Sequence, residues 1–520
     1  MNGARLRRRW RVNVDVSAAL NLVGSLLRYF SLAFLFPTVV AVLHSETPVP
    51  FLTATAVTAG VGVGIGALTQ GREHVGIREG FLVVSLTWLL GAVAVSLPYV
   101  FSNEAQLDHP IDALFEAMSG MTTTGATVLV DYEAVDRSLM LWRQFSQWLG
   151  GMGIVVLALA VLPRLRVGGR QLMESETPGP DIDPLADTIR HTARRLWLLY
   201  VSLTAILAAI LSIFGWTGID PRMDFYEAVA YAFSTLPTGG FGTDPRSAEL
   251  FAPASQWTLA LFMVIGGMNF ALLYAALVRR RPRVVVRDEE LRLYVTLLAL
   301  GSALIAYLLW DGGLFAGEEA VRHAAFQTIS VMTTTGFAST DYTTWLAVIP
   351  AAALILVLLM FAGASAGSTS GSIKVARHLV IGRVLRRELD QTMHPEYVSP
   401  VRLNRRSVDD RTVRAVITFV LIYVGLFVVG SIVLLADAHR TGLELSPFEA
   451  LAASASALGN IGPRLRLRRA DGLVRAVQRP LEDDHDRAHV GRAPRDRPRR
   501  RAPHARVLAS VNWLTKGQPI

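Results

Sequence analysis

Along this chain, long apolar stretches alternate with short polar connections that carry arginine. Stretches of the roughly 20 residues that a membrane span requires occur at 27–44, 50–69, 80–101, 145–163, 195–215, 256–278, 291–310, 345–363 and 413–436. The pattern predicts nine spanning helices and an all-α polytopic membrane protein. Between several spans lies an apolar, helix-like stretch too short to cross: DALFEAM, FYEAVAYAF, RHAAFQTI and PFEALAASA. Each runs into a motif of small residues: SGMTTTG at Ser119–Gly125, STLPTGG at Ser234–Gly240, SVMTTTG at Ser330–Gly336 and SALGNIG at Ser456–Gly462. All four read Ser, any residue, Leu or Met, three residues, Gly, which is an internal repeat and governs the whole fold.

Composition narrows the class. Half of the chain is apolar (52%), which at 520 residues points to a polytopic membrane protein rather than several soluble domains. The absence of cysteine excludes disulfides, thiolate metal sites and cysteine nucleophiles. No His/Asp/Glu spacing of a metal site occurs, so neither an enzyme nor an organic cofactor is expected. The basic residues are almost all arginine, with Lys374 and Lys516 the only lysines. MNGARLRRRWR precedes an apolar stretch without a small-residue cleavage site, and reads as a cytoplasmic flank rather than a signal peptide. An inner N-terminus puts Arg164, Arg166, Arg170, Arg194, Arg195, Arg279–Arg281, Arg383, Arg386, Arg387, Arg402, Arg405 and Arg406 in inner loops, as the positive-inside rule asks of a cell-membrane protein. The four motifs then fall on the outer side.

Non-helical backbone at membrane depth is tolerated only where it is buried in protein or lines a water-filled path. Four such loops converging on one axis present rings of backbone carbonyls, which can replace the hydration shell of an alkali cation. Glycine reaches backbone conformations closed to other residues, and the short helices aim their negative C-terminal ends at the path. A single Ser/Thr/Gly run serves equally well to pack two membrane helices closely; four in one register favour the ion path. Glu116, Glu227 and Glu449 recur in the short helices, where they add negative potential at the mouth or cap helices, and both readings stand. DEELR, from Asp288, reads as a solvated helix start. GASAGSTSGSIKVARH, Gly363–His378, interrupts the span starting near 345 with Gly and Ser where a helix favours Leu or Ala.

The stretches MTTTGATVL from Met121, WRQFSQWLGGMGIVVLALAVLP from Trp142, LPTGGFGT from Leu236, GGMNFALLY from Gly266, DEELRLY from Asp288, MTTTGFASTDY from Met332 and GNIGP from Gly459 are similar to those of a known family. Over residues 20–463 the chain resembles the TrkH branch of the Trk/Ktr/HKT potassium transporters. The resemblance implies four pseudo-repeats of helix, pore loop, helix around a central path, with two extra N-terminal membrane helices. It divides the chain into 1–75 (N-terminal pair), 76–170, 171–285 and 286–400 (pore repeats 1 to 3), 401–463 (an incomplete repeat 4) and 464–520 (tail). It also implies K+ as the transported ion, a homodimer, membrane lipids and a cytosolic nucleotide-binding regulatory ring of the TrkA kind, with no nucleic acid. The filter would comprise Thr123, Thr124 and Gly125; Thr238, Gly239 and Gly240; Thr334, Thr335 and Gly336; and Asn460, Ile461 and Gly462. Residues 363–374, with Gly363, Gly367, Ser368, Gly371 and Lys374, would form an intramembrane gating loop. A Na+- or H+-coupled symporter of the same superfamily is the neighbouring reading.

At Pro463 the pattern changes. Arg464–Arg506 is dense in Arg, Pro, Asp and Ala, has no stretch long enough to cross, and would leave a basic tail outside. Read one nucleotide later with permitted codons, the same stretch can give text ending MTALMWVGRLEIVPVVVLLT, with the family's GRLE beneath Arg492–Arg495. A frameshift is therefore expected; its rival is a basic tail that binds anionic lipid or nucleic acid. With the frame shifted, the written chain lacks the last membrane helix and reads as a non-functional remnant of a transporter.

Overall fold

The computed structural model describes residues 15–69, 77–102, 104–161, 189–396, 400–404 and 406–462. The N-terminal flank, Arg164, Arg166, Arg170, Arg405 and the expected frameshifted tail lie outside the described residues.

The chain opens with α1 (Val16–Phe30), a 3-10 turn (Ser31–Phe34) and α2 (Leu35–Leu43), followed by α3 (Val49–Leu68). Together α1 and α2 make one membrane-length segment, Val16–Leu43, which begins well before the span expected from residue 27. Polar Asn21, Ser25 and Arg28 obscured its start in the apolar pattern.

Beyond this point the element order recurs: a long helix, a short one, then an inner limb. First come α4 (Ile77–Phe101), α5 (Pro110–Met121) and α6 (Arg137–Val161). Then follow α7 (Ile189–Thr217), α8 (Phe225–Thr235), α9 (Pro253–Gly266), α10 (Phe270–Leu277) and α11 (Pro282–Arg287). The third set is α12 (Glu289–Asp311), α13 (Gly317–Met332), α14 (Tyr342–Val348), α15 (Pro350–Leu359) and α16 (Val375–Met393). A two-stranded hairpin, β1 (Arg402–Leu403) and β2 (Arg406–Ser407), leads to α17 (Asp410–Thr441) and α18 (Pro447–Gly459). In each set the long helix packs on the short one: α4 on α5, α7 on α8, α12 on α13, α17 on α18.

Local signals start these short helices. Proline sits at the first helical position of α5 and α18, where its missing N–H costs nothing. Asp224 caps α8 through the Glu227 amide, and Ser446 with Glu449 forms a capping box at α18. The long helices α3 and α17 turn apolar side chains outward, among them Leu421, Ile422, Val429 and Ile432. Such a surface suits hydrocarbon rather than water.

Among the described residues, six helices are long and apolar enough to cross a membrane, or seven if α9 and α10 count as one. Six of the nine expected spans lie in these helices; the 145–163 span falls in α6 (Arg137–Val161), which is not among them, and the other two are not single straight helices. Residues 256–278 bend by 106° between α9 and α10, where Asn269 caps the new helix. Residues 345–363 divide at Pro350, which starts a fresh helix, and lose helix after Leu359, ahead of the glycine- and serine-rich segment. The apolar count saw length; it was blind to direction.

Candidate functional site

The four short helices end alike. Thr123, Thr238, Thr334 and Asn460 have φ of +56°, +53°, +59° and +60°. Their amides bond to Gly120, Thr235, Val331 and Ala457 carbonyls, three residues back. The next amides, of Thr124, Gly239, Thr335 and Ile461, each reach the motif serine carbonyl at 2.8 Å. This pair of bonds is a Schellman cap, whose left-handed position ordinarily holds glycine. Asparagine tolerates that conformation; β-branched threonine does not, and each such residue stores about 1–3 kcal/mol of strain. The departure of the fourth set from threonine thus keeps the same backbone.

The strain has a geometric consequence. In a trans peptide the N–H and C=O point in opposite directions. Because the two amides of each cap face back into the helix, the carbonyls before them face away from it. These carbonyls belong to Thr122 and Thr123, Pro237 and Thr238, Thr333 and Thr334, and Gly459 and Asn460. Two positions later, Gly125, Gly240, Gly336 and Gly462 are again left-handed, at +77°, +81°, +90° and +97°. A β-carbon on Gly462 would collide with the Thr124 carbonyl, one on Gly125 with Gly239, and one on Gly240 with Thr335. Those contacts place the loops against one another in the order fourth, first, second, third. The twelve motif residues expected from sequence are brought together, buried or nearly so, each set at the same three backbone positions. Asn460 fastens the fourth loop to the first: its Nδ2 donates to Thr122 O (3.1 Å) and Thr123 O (2.9 Å), and its Oδ1 accepts from Thr124 Oγ1 (2.6 Å).

Beneath the loops runs the glycine- and serine-rich segment after α15. Its neck is closed by Gly363 N to Ile373 O (2.9 Å) and Val375 N to Ala364 O (3.2 Å). Its tip reaches the strained residues directly. Gly371 N donates to Thr334 Oγ1 (2.6 Å), Thr369 Oγ1 donates to Leu236 O (3.0 Å), and Thr238 Oγ1 donates to Thr369 Oγ1 (3.3 Å). A β-carbon on Gly371 would strike the Gly459 carbonyl. Gly367, at φ +72°, accepts from Phe270 N at the α9–α10 break, and Ser368 Oγ donates to Ser365 O. Lys374 folds back, its Nζ donating to the Ser370 carbonyl and to Ser370 Oγ.

Several residues that the sequence reading passed over carry this arrangement. Thr369 is the tip's main contact; a lone β-branched residue in STSGS was its only signal. Glu290 is buried, and its Oε1 accepts from Ala366 N (2.6 Å) and Ala376 N (3.1 Å), holding both limbs of the segment. Asp288 and Glu289 bind Asn404 of the hairpin, and Glu289 also pairs with Arg383 at 2.6 Å. The DEELR stretch is a helix start, as expected, with Asp288 its N-cap, but a packed and not a solvated one, because α16 and the hairpin fold over it.

The three expected glutamates also separate by role. Glu449 is the reciprocal partner in the Ser446 capping box. Glu227 accepts from Thr243 on the limb leaving the second loop. Glu116 lies fully buried with Arg143, at 2.7 Å, and accepts from Thr127 Oγ1 and Val128 N on the limb leaving the first loop. Arg143 stacks over Phe241 and reaches Gly242 O, so it ties the first loop to the second.

The geometry, four carbonyl-bearing loops above a hydroxyl-rich segment, suits a dehydrated cation. Comparison with known proteins agrees. A family model described as TrkH, cation transport protein, matches residues 51–465. The chain belongs to the TrkH family. Within that family, the Trk system potassium uptake protein TrkH of Escherichia coli strain K12 is 35% identical over 455 residues, 86% of this chain and 90% of that protein. The Trk system potassium uptake protein TrkI of Halomonas elongata is 32% identical over 470 residues, 88% of each. The crystal structure of the potassium transporter TrkH from Vibrio parahaemolyticus superposes with a TM-score of 0.78 at 29% identity, covering 97% of both chains.

Proposed function

We propose that this TrkH-family chain is the ion-translocating subunit of a potassium uptake system in the cell membrane. K+ passes without chemistry through a filter formed by the four loops, as four pseudo-repeats surround one path. The observation that carries the reading is the fourfold Schellman cap, with threonine or asparagine forced left-handed so that carbonyls leave the helix together. Residues 363–374 act as the gate, supported by the bonds of Thr369 and Gly371 to the second and third loops. An inside-negative potential drives uptake at about 2.3 kcal/mol per charge per 100 mV.

The N-terminus lies in the cytosol, as the arginine distribution supports. A homodimer in the lipid bilayer, met by a nucleotide-binding ring on the cytosolic side, completes the system; the relatives' designation as Trk system proteins supports further subunits. Uptake of 86Rb+ into proteoliposomes under an imposed potential tests the function. Potential-driven uptake that K+ suppresses and Na+ does not is the expected result; uptake that requires Na+ or a proton gradient would convert the reading to a coupled symporter. Absence of flux from folded, reconstituted protein would overturn both.

A second reading, a non-transporting remnant, is favoured by one observation: the family match ends at residue 465, beside the change at Pro463. Sequencing the gene and transcript across the codons for 459–520 separates them. A restored frame supports the transporter as drawn; an intact arginine tail with no flux supports the remnant.

A further inference from the structure

The four loops have the same backbone but not the same fastenings. In the first loop Thr122 Oγ1 and Thr124 Oγ1 share a hydrogen bond of 2.7 Å, and in the third Thr333 and Thr335 do the same at 2.7 Å. These hydroxyl pairs span the strained residue and hold each loop from within. The second loop has Pro237 and Gly239 in those two places, and the fourth has Gly459 and Ile461. Neither can form the pair. The fourth loop is held instead by the Asn460 amide.

The second loop borrows its amide from a different limb. Gln147 of α6 is fully buried, donates from Nε2 to Gly239 O (2.7 Å) and accepts at Oε1 from Phe241 N (3.2 Å). Its Cδ lies 2.5 Å from where a Gly239 β-carbon would stand, so the amide fills the volume that threonine occupies in the first and third loops. The peptide it grips joins two glycines, Gly239 and Gly240, and no β-carbon on either side resists its rotation. In the first and third loops the same peptide follows Thr124 or Thr335.

We propose that Gln147 is a positioning residue for ion selection: its side-chain amide replaces the missing threonine pair and keeps the Gly239–Gly240 peptide from rotating. The proposal rests on the reading of the four loops as a K+ filter. The Gly239 carbonyl is itself turned to Gln147; fixing its peptide fixes the residue after Thr238, whose carbonyl with that of Pro237 faces away from α8, so the second side is set through a residue of the first repeat.

The test uses the full chain purified in detergent and follows thermal unfolding in choline, Na+ and K+ chlorides. The unaltered protein is expected to be stabilised more by K+ than by Na+. Gln147→Leu, of similar volume, strands the Gly239 carbonyl and the Phe241 amide and should lower the midpoint in choline while the protein stays folded; against that baseline it should raise the half-effective K+ concentration about tenfold, while Na+ changes little. Gln147→Ala with Pro237→Thr and Gly239→Thr rebuilds the hydroxyl pair, and should recover the preference for K+. A Gln147→Leu protein that discriminates as well as the original overturns the proposal. So does a folded triple variant that does not discriminate, including the case where Gln147→Leu alone unfolds in choline. If the unaltered protein shows no response to K+, the filter reading fails first, and the proposal with it.

Discussion

The first and third loops are near-identical in sequence, SGMTTTG against SVMTTTG, and have the same caps, the same threonine pair and the same left-handed residues. What lies beneath them differs. Under the first loop, α6 runs as one helix of 25 residues, and Gly150 abuts the Met121 carbonyl. Under the third, the inner limb unwinds after Leu359 and returns as a loop that bonds to Thr334. The surroundings divide the same way. The limb leaving the first loop is locked by the buried Glu116–Arg143 pair, whereas that of the third is held by neutral Gln327 and His323 on Ser339. Like loops thus stand on unequal supports, a continuous helix on one side and, on another, the loop proposed above as a movable plug.

The largest expected effect follows from the charge difference. Arg143→Met leaves Glu116 buried without its partner and should cost about 3–5 kcal/mol, while the double variant with Glu116→Leu recovers most of that. Gln327→Leu should cost only about 1 kcal/mol. Denaturation in detergent measures both, and equal losses at the two sites would remove the proposed asymmetry.

The glycines give the next test. Gly150→Val presses a side chain on the Met121 carbonyl within a continuous helix, costing about 1–3 kcal/mol or more, with loss of monodisperse protein on size exclusion. Gly371→Val meets the Gly459 carbonyl from the loop proposed to move, and on that proposal should leave the fold intact. Because the chain has no cysteine, Ser370→Cys supplies a sole thiol, buried at 5% exposure, whose labelling rate reports that retreat. Slow labelling in Gly371→Val would count against a movable plug.

The smallest effect concerns the anchor of that plug. Glu290→Ala strands the Ala366 and Ala376 amides and should speed labelling of Ser370→Cys at least about tenfold, each of the two lost buried bonds being about 1–3 kcal/mol. Glu290→Gln keeps an acceptor oxygen and should change the rate much less. Unchanged labelling in Glu290→Ala would assign the loop's position to its tip contacts alone.

The sequence by itself determined the membrane class, the four motifs and their register, because each depends on chain-local properties: apolar length, helix starts, and glycine where a β-carbon is forbidden. The glycine- and serine-rich segment at 363–374 was legible for a local reason too, since Gly and Ser favour helix less than Leu or Ala. Tertiary structure alone decided which loop abuts which, that the 256–278 stretch bends by 106°, and that DEELR is an anchor. It also decided the roles of Gln147, Arg143, Glu290 and Thr369. Their partners lie far away along the chain, Gln147 from Gly239 and Glu290 from Ala366 and Ala376. A buried polar group takes whatever partner the packed fold brings within about 3 Å, and no local pattern records that distance.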